Sequence, residues 1–321
     1  MEQTENIQRR VSETGAGLRR VLDDLTVIIP TVGRPILQRC LQSIANGTVL
    51  PTRIIAIDQG DNPVVGDWLH SLEEIGLETF HLRSTERSPA SARNRGIEQV
   101  QTAFVAAVDD DCTVEKDWLE KMETRLRQNP TAIITGRLEP AGDGIPPTVV
   151  TSAVPCLYRR PSVRILSPLA SANMGFALRT ALHIGPFDEN LFTAEENDWA
   201  YRALRCGVPI VYAPEVAVYH FHWRDKSQTA AVYRAYASGQ GVFYGKHLRR
   251  GDGFMLLRTA FSLYIGVKSV IIGGLNYDYG RRADGYTRLT GLLSGLIAGL
   301  RGKSLSQRSL SDNKVSSGSR S

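Results

Sequence analysis

Three consecutive carboxylates, Asp109, Asp110 and Asp111, follow directly on the apolar run Phe104-Val-Ala-Ala-Val108. Packed like charges repel and call for a cation. Alternate residues, here Asp109 and Asp111, can turn toward one point and offer hard oxygen ligands to Mg²⁺ or Mn²⁺, which usually also takes oxygens from a substrate phosphate. A turn or helix cap is the structural alternative for such acids, because a helical pattern begins at Glu115. A second acidic group, Glu195-Glu196-Asn197-Asp198, opens another helical pattern. The helix dipole and free N–H groups favour acids there, yet three carboxylates exceed what capping needs. One of them, partly desolvated beside its neighbours, would have a raised pKa and serve as a general base. His220-Phe-His222 ends a strand pattern and adds imidazoles for a metal, although a lone histidine is usually structural. Arg34, Arg93 and Arg95 can give charge-assisted bonds to phosphates; each taken alone is as well read as a solvated surface residue.

These groups need a scaffold. An uninterrupted apolar run such as Phe104–Val108 suits a strand covered on both faces, as in a parallel sheet, and acids at its carboxyl end would face a ligand crevice. Strand patterns at Leu25–Pro30, Arg53–Asp58 and Glu78–Arg83 alternate with helical ones after Pro35, around Trp68–Ile75 and over Pro89–Ile97. Four βα units predict a doubly wound, mostly parallel sheet. Trp118 to Leu126 outlines a further helix and Ala132–Gly136 a strand. Six prolines between Glu139 and Pro168 then predict a loop-rich insert of the kind that carries acceptor or lid contacts. Ser171–Leu178 reads as extended, and Val208–Tyr212 and Val216–Tyr219 as two short strands. No GxGxxG follows the Leu25 strand and no GxxxxGK[ST] occurs, which disfavours a dinucleotide site and a P-loop.

The 321 residues are 42% apolar and 22% charged, values of a folded globular chain rather than a disordered one. The N-terminal twenty residues hold arginines and no apolar segment, so a secretory signal is not expected. Cys40, Cys112, Cys156 and Cys206 form no CxxC pair, which argues against zinc and fits a reducing compartment. The net charge of +5 is uneven: from Arg249 onward twelve Lys or Arg meet four Asp, so that quarter carries +8 and the rest −3. A basic end suggests an anionic surface.

The ordered set TVIIPTVGR (Thr26 to Arg34), IIAIDQG (Ile54 to Gly60), SARNRGI (Ser91 to Ile97), AAVDDDC (Ala106 to Cys112), NMGFALR to GPFDE, EENDWAYR (Glu195 to Arg202) and VYH (Val218 to His220) resembles family 2 glycosyltransferases of the GT-A fold. The resemblance spans residues 25 to about 225. It implies a GT-A-like, doubly wound α/β sheet with a Rossmann-like nucleotide-binding core. It also implies a metal-dependent inverting transferase with Mn²⁺ or Mg²⁺, a nucleoside-diphosphate sugar donor and an acceptor hydroxyl on a glycan, lipid-linked precursor or small molecule, with no nucleic acid. By the same resemblance Pro30, Thr31, Arg34, Asp58, Arg93, Asp109 and Asp110 contact the nucleotide-sugar, Asp109, Asp111 and His220 hold the metal, and the base lies among Glu196, Glu195 and Asp198. Two departures stand out: Glu196 occupies a position usually Asp, and Asp58-Gln59 stands where two acids are common.

The expected domains are a polar segment over 1–22, a catalytic domain over 23–228 with a nucleotide-sugar half to about 138 and an acceptor half beyond, helices over 229–303, and a disordered basic tail over 304–321. The run Phe254–Leu275 is long enough to span a bilayer, but Arg258 and Lys268 interrupt it. Peripheral docking at the inner face of the cell membrane is therefore expected, with Phe254, Leu257, Phe261 and Tyr264 entering the apolar layer; packing on the catalytic domain or an oligomer contact is the structural alternative. Two other functional classes compete, a nucleotidyltransferase, which would release pyrophosphate, and a non-catalytic membrane-associated binding protein.

Overall fold

The computed structural model describes residues 11–14, 17–143, 146, 148–165, 167–222 and 226–303. The tail 304–321 and residues 1–10 of the polar N-terminal segment lie outside them.

Strands and helices alternate through the first half. A short strand β1 (Val11–Thr14) pairs antiparallel with the start of β2 (Gly17–Thr31), so the strand expected from Leu25 begins eight residues earlier. Then follow α1 (Ile36–Ala45), β3 (Val49–Asp58), α2 (Val64–Glu73), β4 (Glu78–Arg83), α3 (Pro89–Glu98) and β5 (Phe104–Val108). All five residues of β5 are buried, as a strand covered on both faces requires. Beyond it come β6 (Cys112–Val114), α4 (Trp118–Gln128), β7 (Ile133–Ala141), β8 (Cys156–Tyr158), β9 (Asn173–Ala177), α5 (Leu178–Ile184), α6 (Glu195–Arg205) and β10 (Ile210–Phe221).

The main sheet runs β4-β3-β2-β5-β9-β7-β10-β6. The pairs from β4 to β5 are parallel, β9 lies antiparallel between β5 and β7, and β7 and β10 are again parallel. The sheet is thus mixed: β9 and the edge strand β6, antiparallel to β10, run against the other strands of this path, and β9 is the segment the sequence showed only as extended. Alternation along β2 separates two cores: Val27 and Ile29 pack toward α1, α2 and α4, Ile28 toward α3, α5 and α6.

The two strands expected at Val208–Tyr212 and Val216–Tyr219 are one strand with a bulge. Register against β7 shifts between Ala213 and Ala217, around Pro214, which has no N–H to give the ladder. Gly136 faces this bulge, where a Cβ would stand 1.8 Å from the Val216 carbonyl oxygen. Asn173, fully buried, donates to the Val216 and Arg137 carbonyls at 2.9 Å each and accepts from Trp118 Nε1 at 2.9 Å, so its burial is satisfied.

Three long helices close the chain: α7 (Lys226–Arg249), α8 (Phe254–Leu275) and α9 (Tyr279–Leu300). Helices α7 and α9 approach to backbone distance: a Cβ on Gly295 would lie 1.9 Å from the Ser238 carbonyl oxygen, and one on Gly241 2.2 Å from that of Leu292. A third core, with Leu191, Tyr201, Phe243, Tyr244, Met255 and Leu292, joins these helices to α6.

Candidate active site

The carboxyl ends of β2, β5 and β10 and the N-termini of α3 and α6 converge on a cleft of about 250 Å³. Of the residues expected at the site, all but Asp58, Asp198, Arg95 and His222 line it.

The three acids at the end of β5 have different partners. Asp110 is turned to the loop after β2: its Oδ2 accepts from Thr31 Oγ1 at 2.7 Å, and its Oδ1 from Arg34. Burial raises the Asp110 pKa to about 6, with Arg34 opposing and Asp111 reinforcing the shift. Asp111 meets β10, where its Oδ1 lies 3.5 Å from His220 Nε2. Asp109 Oδ1 accepts from Arg93 Nη2 at 2.9 Å, and Asp109 stands outside the Asp111, Cys112 and His220 group.

The tautomer of His220 follows from its other nitrogen. The Thr148 carbonyl can only accept, so Nδ1, 3.0 Å away, must donate to it. In the neutral ring this leaves the Nε2 lone pair facing a carboxylate oxygen, an arrangement that needs a positive charge between them. A proton on Nε2 meets that need in one way: although burial disfavours the imidazolium, the Asp111 carboxylate lifts the His220 pKa above its ordinary value. A divalent cation meets it in another, since a carboxylate oxygen and an oriented imidazole nitrogen are both metal ligands. Burial pushes the neighbouring Cys112 thiol up, so it stays protonated beside them.

Arg93 links the two acidic groups. Nearly buried on α3, it donates to Asp109, to Glu195 Oε1 at 2.8 Å and to Ser171 Oγ at 3.0 Å. Burial works against its charge, but Asp109, Glu195 and Glu196 more than offset this and raise its pKa. Glu195 is thereby committed to an ion pair. Glu196, half-buried at the cleft wall, takes a bond from Asn197 Nδ2 at 3.4 Å, and burial together with the Glu195 charge drives its pKa well above the carboxylate range. Ala194, the residue before this pair, has φ 66° and ψ 16°, left-handed backbone that a non-glycine residue adopts at a cost on the order of 1 kcal/mol. The strained turn aims the start of α6 into the cleft.

Asp198 points the other way. Its Oδ1 accepts from Lys246 Nζ and His247 Nε2, both at 2.7 Å, and its Oδ2 from Arg202 Nε at 2.8 Å; Lys246 also reaches Asp188 Oδ2 at 2.7 Å. Burial alone would raise its pKa, but the bonds from His247, Lys246 and Arg202 hold it far below the usual carboxylate range. A carboxylate so stabilised is a weak base and a strong strut between α6 and α7. Removing one partner from a buried cluster leaves uncompensated charge, so Lys246→Met should lower unfolding free energy by about 3 kcal/mol, measured by urea denaturation at neutral pH. Because the folded pKa of Asp198 is depressed, its stabilisation is complete above the unfolded carboxylate pKa and is lost only in strong acid.

Asp58 is fully buried outside the cleft and accepts from Arg83 Nη1 and His81 Nε2 at 3.0 Å and from Gly60 N at 2.9 Å. Its neighbour Gln59 lines the cleft instead. Ser171, Thr148, Ala194, Lys246 and His247 were not singled out from the sequence. All but Ala194, whose left-handed backbone adjoins Glu195, act on the site through contacts of long sequence separation, for which no local pattern exists.

The chain matches the family model described as Glycosyl transferase family 2 over residues 26–183. It is 27% identical over 207 residues to the pre-mycofactocin glycosyltransferase of Mycobacterium tuberculosis, covering 62% of this chain and 43% of that protein, so it spans less than half that relative's length. It is 21% identical over 202 residues to glycosyltransferase AglE of Haloferax volcanii, covering 61% of this chain and 66% of that protein. Among solved structures, the mannosyltransferase PcManGT of Pyrobaculum calidifontis, in complex with GDP-Man and Mn²⁺, superposes with a TM-score of 0.60 at 14% identity over 87% of this chain and 88% of that one. S. aureus TarS 1-349 in complex with UDP-GlcNAc gives 0.52 at 16% identity, over 87% of this chain and 92% of that one. With the acids, the imidazole and the strained helix start all on one cleft of this sheet, the chain carries the GT-A fold, and its residues 26–183 match glycosyl transferase family 2.

Proposed function

We propose that the protein transfers a sugar from a nucleoside-diphosphate donor to an acceptor hydroxyl, with inversion and with the help of a divalent cation. The observation that carries this reading is that a carboxylate of raised pKa, Glu196, shares one cleft with the Asp111–His220 pair, on separate walls built by α6 and by the ends of β5 and β10. Asp111 and His220, with Asp109 nearby on the same turn, would hold Mn²⁺ or Mg²⁺, whose charge offsets what develops on the leaving diphosphate. Arg34 and Arg93 neutralise the acids and turn their remaining N–H groups to diphosphate oxygens, while Pro30 and Thr31 form the floor under the nucleotide. Glu196 takes the proton from the acceptor hydroxyl as the new bond forms. Glu195, held by Arg93, positions that helix start, and Asp198 secures it to α7. The complexes of PcManGT with GDP-Man and of TarS with UDP-GlcNAc support a nucleotide-sugar as the donor class.

The four free thiols suit the cytoplasm, and the basic, apolar C-terminal helices suit its membrane face, where a glycan or lipid-linked acceptor would be met. A panel of nucleotide-sugars incubated with the protein and Mn²⁺ tests the reaction. Release of a nucleoside diphosphate from at least one donor, abolished by EDTA, is expected; release of pyrophosphate, or undiminished turnover in EDTA, would overturn the reading.

A further inference from the structure

Helices α8 and α9 are built inside out. On α8 the buried positions are Met255, Arg258, Thr259, Ser262, Gly266 and Gly273, mostly polar or small, whereas Leu256, Leu257, Tyr264, Val267, Ile271 and Leu275 are 45–73% exposed. At 100° per residue these exposed side chains fall within one stripe along the whole helix. The same inversion marks α9, where Gly285, Gly291, Gly295 and Gly299 face inward and Tyr286, Leu293, Ile297 and Leu300 outward, each 44–48% exposed. A helix that met only water would reverse this assignment, because each exposed leucine forgoes favourable apolar burial.

The inward polar residues have work in the fold. Arg258 donates to the Ser162 carbonyl at 3.3 Å and lies 6.0 Å from the centroid of the Tyr244 ring; Ser262 shares a bond with Tyr244 Oη at 3.1 Å, and Thr259 bonds the Met255 carbonyl. Arg258 is therefore no obstacle to an apolar outer face, since it points to the protein. Phe254, expected to enter the apolar layer, stacks on Tyr201 instead, with ring centroids 5.9 Å apart. The outer stripe is carried by residues further along.

Charge decides what covers it. Exposed Lys268, Arg281, Arg282, Arg288, Arg301 and Lys303 border the two helices, against two acids, Asp278 and Asp284, the first of which accepts from Arg281 N at the start of α9. A second copy of this chain would set cation against cation, whereas an anionic bilayer complements them. Tyr277 and Tyr279, 82% and 77% exposed at the turn between the helices, are the amphipathic side chains that favour a headgroup layer. At 22 residues α8 also has the length and hydropathy of a membrane span. Its polar side, however, is sealed against the protein, and a span would strip Arg258 and Ser262 of their partners.

We propose that the outer face of α8 and α9 lies in the interface of an anionic phospholipid bilayer, apolar stripe at the acyl boundary and arginines at the headgroups, without crossing it. This surface is separate from the cleft, so its failure and that of the transfer reaction are read by different measurements. Flotation of the full chain with vesicles of phosphatidylglycerol and phosphatidylcholine tests it against vesicles of phosphatidylcholine alone. Binding to the anionic vesicles, released by high salt and by alkaline carbonate, is expected. Arg281→Glu with Arg282→Glu should weaken partitioning by about tenfold or more, and Ile271→Asp by about tenfold, with circular dichroism and turnover of soluble donor unchanged. Equal binding to neutral vesicles, resistance to carbonate, or a dimer in solution that Ile271→Asp dissociates while vesicle binding is absent, would each overturn the proposal.

Discussion

Glu196→Gln should lower turnover by about 10²- to 10⁴-fold with donor affinity retained, the loss that follows from removing a positioned proton acceptor without changing its shape. The pH profile carries a second signature. A base works only when deprotonated, and burial with the adjacent Glu195 charge lifts the Glu196 pKa, so activity should rise with pH through a limb above the ordinary carboxylate range. That limb should vanish in the Gln variant. Donor binding by fluorescence or calorimetry and single-turnover rates across pH separate these effects. Wild-type turnover in Glu196→Gln would move the base to Glu195, whose Oε1 is 2.8 Å from Arg93.

Asp111→Asn should cost at least about 100-fold in turnover and most of the Mn²⁺ affinity, because an amide brings no charge to the cation and no counter-charge to His220. His220→Ala should act in the same direction. Titration of Mn²⁺, followed by loss of its free-ion resonance signal, checks this in the presence of donor. Affinity should also fall as pH drops through the raised pKa of His220, since a proton on Nε2 competes with the cation. Unchanged Mn²⁺ binding in both variants would remove the cation from this pair.

The elements of the sheet-bearing part were largely legible along the chain. Phe104–Val108 before three acids reads as a buried strand with a charged end because an apolar run and a charge cluster are both local facts, and the structure puts that end in the cleft. The helix at Glu195 was legible for the same reason. Which of its acids is available was not, because Arg93 and Lys246 reach Glu195 and Asp198 across 102 and 48 residues. The bulge in β10 was missed because Pro214 and Glu215 imitate a turn, and only β7 alongside shows one continuous strand.

By itself the sequence determined the alternation of strands and helices, the places where charge gathers, and the resemblance to family 2 glycosyltransferases, since these rest on periodicity, composition and motifs along the chain. Tertiary structure alone decided the antiparallel place of β9, the pairing of Asp111 with His220, and the different partners of three acids on one helix. It also decided which side of α8 faces outward. Periodicity gives the angular spread of apolar residues around a helix, but the direction in which the stripe points depends on what the opposite side finds to bond, and there Arg258 and Ser262 find Ser162 and Tyr244.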